Sequence, residues 1–318
     1  MKNFSINNTS EKDILDIYNF QYAHCDIYRK YVDLLGIKVS SVKDIPFLPI
    51  QFFKTKKVYG ATKNPEIVFT SSGTTGQEVS KHYVAYADIY TQSYTEGFRY
   101  FFGNPEEYTI LALLPSYLER EGSSLITMVE GLIKTSGSNF SGFFLHNHND
   151  LYNSLQELKT MQKPTILIGV SFALLDFIEK YRINFPELIV METGGMKGRR
   201  EEITRTELHA AICNGFGVDK VYSEYGMTEL LSQAYSKGNG IYHAPPWMKI
   251  VIRDARDPFI IQPAETAGGV NIIDLANIYS CSFIETQDLG IVHNDGSFEI
   301  IGRFDESEIR GCNLMVAE

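Results

Sequence analysis

The segment FTSSGTTG, residues 69–76, carries an unusual density of glycine and hydroxyl-bearing residues. It follows Ile67 and Val68, which together with Phe69 predict a buried strand. Glycine permits positive φ and a close approach of the backbone to a ligand. Successive backbone N–H groups then converge on an anion, and serine and threonine hydroxyls add donors. The segment therefore predicts a phosphate-binding loop after a strand, with Lys81 nearby as a source of positive charge.

Two common phosphate-binding patterns do not fit this segment. The Walker pattern GxxxxGK[ST] requires Lys-Ser or Lys-Thr directly after a glycine, and the segment has neither. The dinucleotide pattern GxGxxG after a strand is absent as well. A plain surface turn rich in serine, threonine and glycine is the remaining alternative, because turns favour the same residues.

The segment resembles the phosphate-binding loop of the adenylate-forming superfamily, which includes acyl-CoA synthetases, luciferases and adenylation domains of peptide synthetases. Compared with the superfamily pattern, this loop has one extra serine, and its lysine, Lys81, is displaced by two residues. Further segments resemble the other superfamily motifs in the expected order: ETGG at 192–195, SEYGMTE at 223–229, QDLG at 287–290 and GRFD at 302–305. Gln287 replaces a glycine, and one residue is missing before Asp305. Each motif alone is weak evidence for the superfamily, but five motifs in the expected order are strong evidence.

The resemblance implies that ATP and Mg²⁺ are bound and that AMP and pyrophosphate are products. It implies that the β- and γ-phosphates are held by Ser71, Ser72, Gly73, Thr74, Thr75 and Gly76. Thr228 would bind the α-phosphate and Glu229 the Mg²⁺, which usually takes one or two carboxylates besides phosphate oxygens. With Lys81 and Cys312, these two form the predicted catalytic set.

The remaining motifs are implied to surround the nucleoside. Tyr225 and Gly226, with Gly194 and Gly195, would bind adenine. Asp288 would accept hydrogen bonds from the ribose, and Arg303 would donate to the ribose or a phosphate. A structural role stays open for each of these residues. Tyr225 could be a core tyrosine, Asp288 could begin a turn, and Arg303 could form a surface ion pair.

Within the superfamily, the sequence is most similar to the LuxE family, the acyl-protein synthetases of bacterial fatty-acid reductase. The similar segments are IPFLPIQFFK at 45–54, LPSYLER at 114–120 and EIRGCNLMV at 308–316, so the resemblance covers nearly the whole chain. It implies a fatty or other carboxylic acid substrate and an acyl-reductase or carrier-protein partner. It also implies that a cysteine near the C-terminus, here Cys312, carries the acyl group. The alternative for Cys312 is a small apolar residue in a final strand.

Residues 108–224 alternate between predicted strands, such as Thr165 to Val170, and predicted helices. This alternation predicts an α/β fold with a mostly parallel sheet covered by helices, of the adenylate-forming large-domain type. Beyond 240, runs such as Met248 to Arg253 and Phe259 to Ile261, and the NDGS turn at 294–297, predict a β-rich subdomain.

We expect 1–240 to form an α/β nucleotide- and acyl-binding core and 241–318 a β-rich subdomain that carries the ribose and hinge motifs, together one large domain. Residues 11–35 predict one long helix, and the aromatic residues Tyr94, Phe98, Tyr100, Phe101, Phe102, Phe143 and Phe144 predict either an acyl pocket or core packing. Most superfamily members continue into a small mobile C-terminal domain. We expect that domain to be absent, because the sequence ends at Glu318, thirteen residues after Asp305.

The 318 residues are 44% hydrophobic and 21% charged, which predicts a folded protein with a sizeable core. The net charge of −10 argues against nucleic acid as a partner. No apolar run has the length of a signal peptide core or a membrane span. The four cysteines lack CxxC spacing, which favours a cytoplasmic protein with reduced thiols.

Three functions remain open from the sequence. The first is ATP-dependent activation of a fatty acid through an acyl-adenylate, with transfer to a protein cysteine such as Cys312. The second is a related ligase whose acceptor is coenzyme A or a carrier protein. The third is a nucleotide-binding or partner-binding protein without catalytic activity, which the displaced Lys81 motivates.

Overall fold

The computed structural model describes residues 9–71, 78–115, 122–194 and 203–304. Its α-helices are α1 Glu11–His24, α2 Asp26–Leu35, α3 Phe52–Thr55, α4 Ala87–Phe102, α5 Ser124–Ser136, α6 His148–Thr160, α7 Ser171–Lys180 and α8 Arg205–Phe216. Its strands are β1 Leu48–Pro49, β2 Ile67–Thr70, β3 Lys81–Val84, β4 Thr109–Leu113, β5 Gly142–Phe143, β6 Thr165–Val170, β7 Ile189–Thr193, β8 Tyr222–Tyr225, β9 Ala234–Ser236, β10 Tyr242–His243, β11 Met248–Arg253, β12 Gly268–Asp274, β13 Phe283–Val292 and β14 Phe298–Arg303.

Five of these strands form a parallel sheet in the order β5-β4-β6-β7-β8. Strands β4 and β6, with the sequences TILAL and TILIGV, are buried at every residue. Such uninterrupted apolar strands are typical of parallel sheets that are covered on both faces. The helices α5, α6, α7 and α8 lie between these strands in sequence, so the predicted α/β alternation is confirmed.

The sheet continues as antiparallel strands in the order β9-β10-β14-β13-β12-β11. Strand β9 pairs with β8, which joins this part directly to the parallel part. The NDGS turn connects β13 to β14 as predicted, and Gly296 in it has φ 85°. The predicted β-rich C-terminal region is therefore confirmed, and within the described residues it shares one twelve-stranded sheet with the α/β part.

A separate antiparallel pair, β2 and β3, carries the ends of the glycine-rich segment. Only Phe69 of β2 is fully buried, so the prediction of a buried strand at this position is wrong for Ile67 and Val68. The reason is that β2 lies outside the main sheet: among the described strands it pairs with β3 only. The glycine-rich segment is thus the connection of a hairpin, with residues 72–77 outside the described ranges.

Two further predictions are wrong in detail. The predicted long helix at 11–35 is divided at Cys25, whose backbone is extended at φ −94° and ψ 100°. Tyr18 and Tyr28 both pack on Phe283, at centroid distances of 6.3 and 6.0 Å. A straight helix would separate them by roughly 15 Å along its axis, so the division lets both reach one ring.

The predicted strand from Phe259 to Ile261 is reduced to a single bridge between Arg253 and Ile261. The carboxylate of Asp254 accepts hydrogen bonds from the backbone N–H groups of Arg256 and Asp257, at 2.7 and 3.1 Å. These bonds turn the chain directly after β11, which leaves too few residues for a ladder. Among the described helices, none combines the length and the apolar character that crossing a bilayer requires.

Candidate active site

Three predicted nucleoside-binding side chains form one cluster. Asp288 and Arg303 face each other across β13 and β14, and Arg303 Nε lies 3.2 Å from Asp288 Oδ1. The Tyr225 hydroxyl, at the end of β8, donates to Asp288 Oδ2 at 2.7 Å. We call Tyr225, Asp288 and Arg303 the ribose-side cluster. The sequence assigned them separate roles, and only the fold brings them into contact.

Burial shapes the titration of both the acceptor and the donor in this cluster. Burial raises the pKa of the Asp288 carboxyl, whereas the Tyr225 hydroxyl and the charges of Arg303 and Arg253 lower it. Burial also raises the pKa of Tyr225 well above its usual value, so the phenol keeps its proton and donates. The Tyr225 ring packs edge-on against Tyr242 and Phe298, which hold it in place.

Glu229 lies in the turn between β8 and β9 and is buried. Burial raises the pKa of its carboxyl above 4.5, and a hydrogen bond from the Ser80 side chain and the charges of Lys54 and Arg303 lower it in part. Its backbone carbonyl accepts a hydrogen bond from Asn277 Nδ2 at 2.8 Å. A carboxylate held beside a hydroxyl is an all-oxygen donor set, and hard oxygen donors fit Mg²⁺.

Ser71 and Ser80 close the stem of the glycine-rich loop. The Ser80 N–H donates to Ser71 Oγ at 2.9 Å, and the Ser71 N–H donates to the Ser80 carbonyl at 3.1 Å. The Ser71 oxygen therefore accepts a hydrogen bond within the stem. Since Ser80 also bonds to Glu229, the loop stem lies directly beside the predicted metal-binding carboxylate.

Lys81 is the first residue of β3, where it pairs with Thr70 and keeps its side chain exposed. The next residue, His82, is fully buried. Its Nδ1 lies 2.9 Å from the Thr228 carbonyl oxygen and its Nε2 lies 2.9 Å from Ser280 Oγ. Burial lowers the pKa of His82 to about 4. Sequence reasoning missed His82 and Ser80, although alternation over residues 81–84 could have predicted a strand paired with β2.

The end of β7, with Gly194, pairs beside β8, near the residues predicted to bind adenine. Thr193 at the end of β7 donates to Glu224 Oε2 of β8 at 2.6 Å. Gly194 follows with φ 58°, a conformation that favours glycine, and its carbonyl accepts from Ser171 at 3.4 Å. Gly226 packs directly on the Glu224 carboxylate, where a side chain would collide. Strand pairing therefore brings Gly194 and Gly226 to the same end of the sheet.

Several predicted site residues lie outside the described residues: Ser72, Gly73, Thr74, Thr75, Gly76, Gly195 and Cys312. Their roles stay predictions. Cys25, Cys213 and Cys281 are free cysteines, and burial raises the pKa of each thiol.

The predicted aromatic set divides between packing and a cavity. Tyr94, Phe98 and Phe101 of α4 are buried in the core, whereas Tyr100 is 61% exposed. A small apolar cavity lies between α4, α5 and the parallel strands, and its lining comprises Phe98, Ile110, Met128, Val129, Leu132, Ile166, Ile168, Met191 and Tyr235. Of the predicted aromatic residues, Phe98 alone is in this lining, so most of the set serves the core.

Two solved structures share the fold of this chain. A 2-hydroxyisobutyryl-CoA ligase in complex with 2-HIB-AMP and CoA matches 93% of this chain and 70% of its own, with 14% identity and a TM-score of 0.66. ATP-bound MatB from Rhodopseudomonas palustris matches 74% of this chain, with 17% identity and a TM-score of 0.54. The chain spans 47% of that MatB chain. At these identities the likeness concerns the fold, and it confirms the predicted fold class.

The family follows from the sequence itself. A family model described as "Acyl-protein synthetase, LuxE" matches residues 5–318, and the chain belongs to this family. A curated relative, the "Long-chain-fatty-acid--luciferin-component ligase" of Photorhabdus luminescens, is 35% identical over 69 residues. These residues are 21% of this chain and 60% of the relative's length.

Proposed function

We propose that this protein activates a long-chain fatty acid with ATP and transfers the acyl group to a cysteine thiol. The observation that carries the proposal is the convergence of the loop stem, Glu229 and the ribose-side cluster at one end of the sheet. Membership of the LuxE family supports the reaction class. The name of the Photorhabdus relative supports a long-chain fatty acid as the substrate class.

In the first step, a carboxylate oxygen of the acid attacks the α-phosphorus of ATP. The bond to pyrophosphate breaks, and an acyl-adenylate and pyrophosphate form. Because one anion attacks another, the protein's task is to align the reactants and neutralise charge. When bound, Mg²⁺ would supply positive charge at the phosphates.

The protein's own groups have separate tasks in this step. Glu229 would hold the Mg²⁺, and Thr228 the α-phosphate. The N–H groups of 71–76 would bind the β- and γ-phosphates, with Lys81 adding charge. Asp288 would orient the ribose, while Tyr225, Gly226, Gly194 and Gly195 would enclose adenine and Arg303 would donate to the ribose or a phosphate.

In the second step, a thiolate attacks the acyl carbonyl carbon, a thioester forms, and AMP leaves with the carboxylate oxygen that it gained. Cys312 is the proposed nucleophile. The described cysteines are weaker candidates, because burial raises their pKa and reduces the thiolate fraction. A thioester keeps the acyl group reactive for onward transfer. We propose an acyl-reductase partner as the recipient, and the cytoplasm, where ATP is available, as the location.

Intact mass spectrometry tests this proposal directly. The protein is incubated with Mg-ATP and saturated fatty acids of graded chain length. We expect a hydroxylamine-labile acyl adduct that is lost in Cys312→Ser and kept in Cys213→Ser, a matched change at a half-buried thiol. An adduct that survives in Cys312→Ser would contradict the assignment of the nucleophile.

Pyrophosphate release separates the remaining alternatives. Release that depends on fatty acid without any protein adduct would favour a ligase that uses coenzyme A or a carrier protein. Binding of ATP without release would favour a non-catalytic nucleotide-binding protein. Neither alternative is favoured by a specific contact among the described residues.

A further inference from the structure

The turn that carries Thr228 and Glu229 is held by polar contacts from the strand that follows the glycine-rich loop. Ser80, just before β3, bonds to the Glu229 carboxyl, and His82, inside β3, lies 2.9 Å from the Thr228 carbonyl oxygen. Asn277 Nδ2 donates to the Glu229 carbonyl at 2.8 Å. The loop stem and the turn are therefore connected by side chains that lie only two residues apart.

The contacts of His82 determine which ring nitrogen carries the proton. A backbone carbonyl only accepts, so Nδ1 must donate to the Thr228 carbonyl. With Nδ1 protonated in the neutral ring, Nε2 accepts from the Ser280 hydroxyl at 2.9 Å. Both ring nitrogens are therefore hydrogen-bonded while the ring is neutral. The Phe53 ring packs edge-on against the imidazole at a centroid distance of 5.6 Å.

We infer that His82 is a positioning residue that sets the Thr228–Glu229 turn against the stem of the glycine-rich loop, at Ser71 and Ser80. Burying an imidazole is costly unless its nitrogens are hydrogen-bonded, so a residue needed for packing alone would more readily be apolar. Here the ring joins β3 to the turn through one bond and is anchored through the other to Ser280, which precedes β13. This inference rests on the proposed function, because the turn matters only if Glu229 holds the metal of Mg-ATP.

Two amide substitutions separate the two bonds of His82. The side-chain amide of asparagine reaches about as far as Nδ1, so His82→Asn keeps the bond to the Thr228 carbonyl. The amide of glutamine reaches about as far as Nε2, so His82→Gln keeps the hydrogen bond to Ser280 and loses the one to the Thr228 carbonyl. The probe is α,β-methylene-ATP, which cannot be cleaved between the α- and β-phosphates, and its dissociation constant is measured by calorimetry with Mg²⁺ and with EDTA.

We expect His82→Gln to weaken binding of the Mg²⁺ complex by about tenfold, the loss of one buried hydrogen bond to the turn. Binding of the analogue in EDTA should change by less than about threefold, and His82→Asn should stay within about threefold of the unaltered protein in both conditions. Thermal melting of both variants checks that they fold.

Equal weakening in Mg²⁺ and in EDTA, or no weakening in His82→Gln, would overturn the inference and leave His82 a purely structural residue. Equal effects of the two amides would overturn it as well. If the unaltered protein does not bind the analogue at all, the proposed function itself fails. This outcome is distinct, because it is measured on the protein without any change at His82.

Discussion

At the scale of single residues, Glu229 has the most demanding environment in the candidate site. Its carboxyl is buried, yet it lies near the charges of Lys54 and Arg303 and bonds to Ser80. Such a group is costly to bury in ionised form unless a cation joins it. Mg²⁺ in complex with ATP would provide that cation.

Replacing Glu229 by glutamine removes the charge and keeps the shape. We expect Glu229→Gln to lower fatty-acid-dependent pyrophosphate release by about a hundredfold or more, as for removal of a transition-state charge partner. Because burial raises the pKa of Glu229 above 4.5, the acid limb of kcat/KM for Mg-ATP should lie above that pH. The control is Glu265→Gln, the same change at an exposed carboxyl. Undiminished turnover in Glu229→Gln would show that the metal assignment is wrong.

His82 gives a prediction for stability against pH. Its pKa is about 4 in the folded protein and 6.5 as the ordinary value, so the unfolded chain binds a proton more readily between these pH values. Its contribution is therefore fully present above pH 6.5 and is lost as the pH falls toward 4, about 3 kcal/mol in all. Urea unfolding at a series of pH values measures this slope. His82→Asn should show a shallower acid slope, and an unchanged slope would contradict the prediction.

At the scale of elements, helix α8 begins with a capping box. Thr204 Oγ1 accepts from the Glu207 N–H at 3.2 Å, and the Glu207 carboxylate accepts from the Thr204 N–H at 2.9 Å. The bonds satisfy backbone donors that the first helical turn leaves open. The helix ends at Phe216 and is capped by Gly217, whose φ of 67° is left-handed. These local features set the ends of α8, which follows β7 and precedes β8, the two strands that lead to the predicted adenine-side residues.

Removal of this cap has a predictable cost. We expect Thr204→Ala to lower the free energy of unfolding by about 1 kcal/mol, because the Glu207 N–H loses its acceptor. The matched control is Thr160→Ala near the end of α6, where the hydroxyl only donates back to the Gln156 carbonyl at 2.9 Å. Urea denaturation of both variants provides the comparison, and equal costs would argue against a stabilising cap at Thr204.

At the scale of the whole molecule, the parallel and antiparallel parts are joined by more than the sheet. Trp247, just before β11, donates through Nε1 to Ser232 at 3.0 Å and contacts Ser93 of α4 at 3.3 Å. The buried Asp274 carboxylate of β12 accepts from the N–H groups of Leu231 and Ser232 at 2.9 and 3.0 Å. These contacts cross the predicted division at residue 240.

We therefore expect the two parts to unfold together. Trp247 is the single tryptophan of the chain, so its fluorescence reports this junction, whereas far-ultraviolet circular dichroism reports all helices. The two signals should give coincident transitions in urea, as for one cooperative unit. Separate midpoints would instead indicate that 1–240 and 241–318 are distinct subdomains.

The sequence by itself determined the fold class and most elements of the main sheet. Continuous apolar strands such as Thr165–Val170, the NDGS turn and the ordered motifs are local signals, because strand burial and turn chemistry depend on neighbouring residues. The same ordered motifs indicated the family that the full-length match confirmed.

Only the tertiary structure decided which of these residues meet. The bond from Tyr225 to Asp288 joins residues 63 positions apart, and that from His82 to Thr228 joins residues 146 apart. The division of the N-terminal helix at Cys25 depends equally on Phe283, a distant residue on which both halves pack. Such pairings depend on strand order and on the free energy of packing across the whole chain, which no local pattern contains.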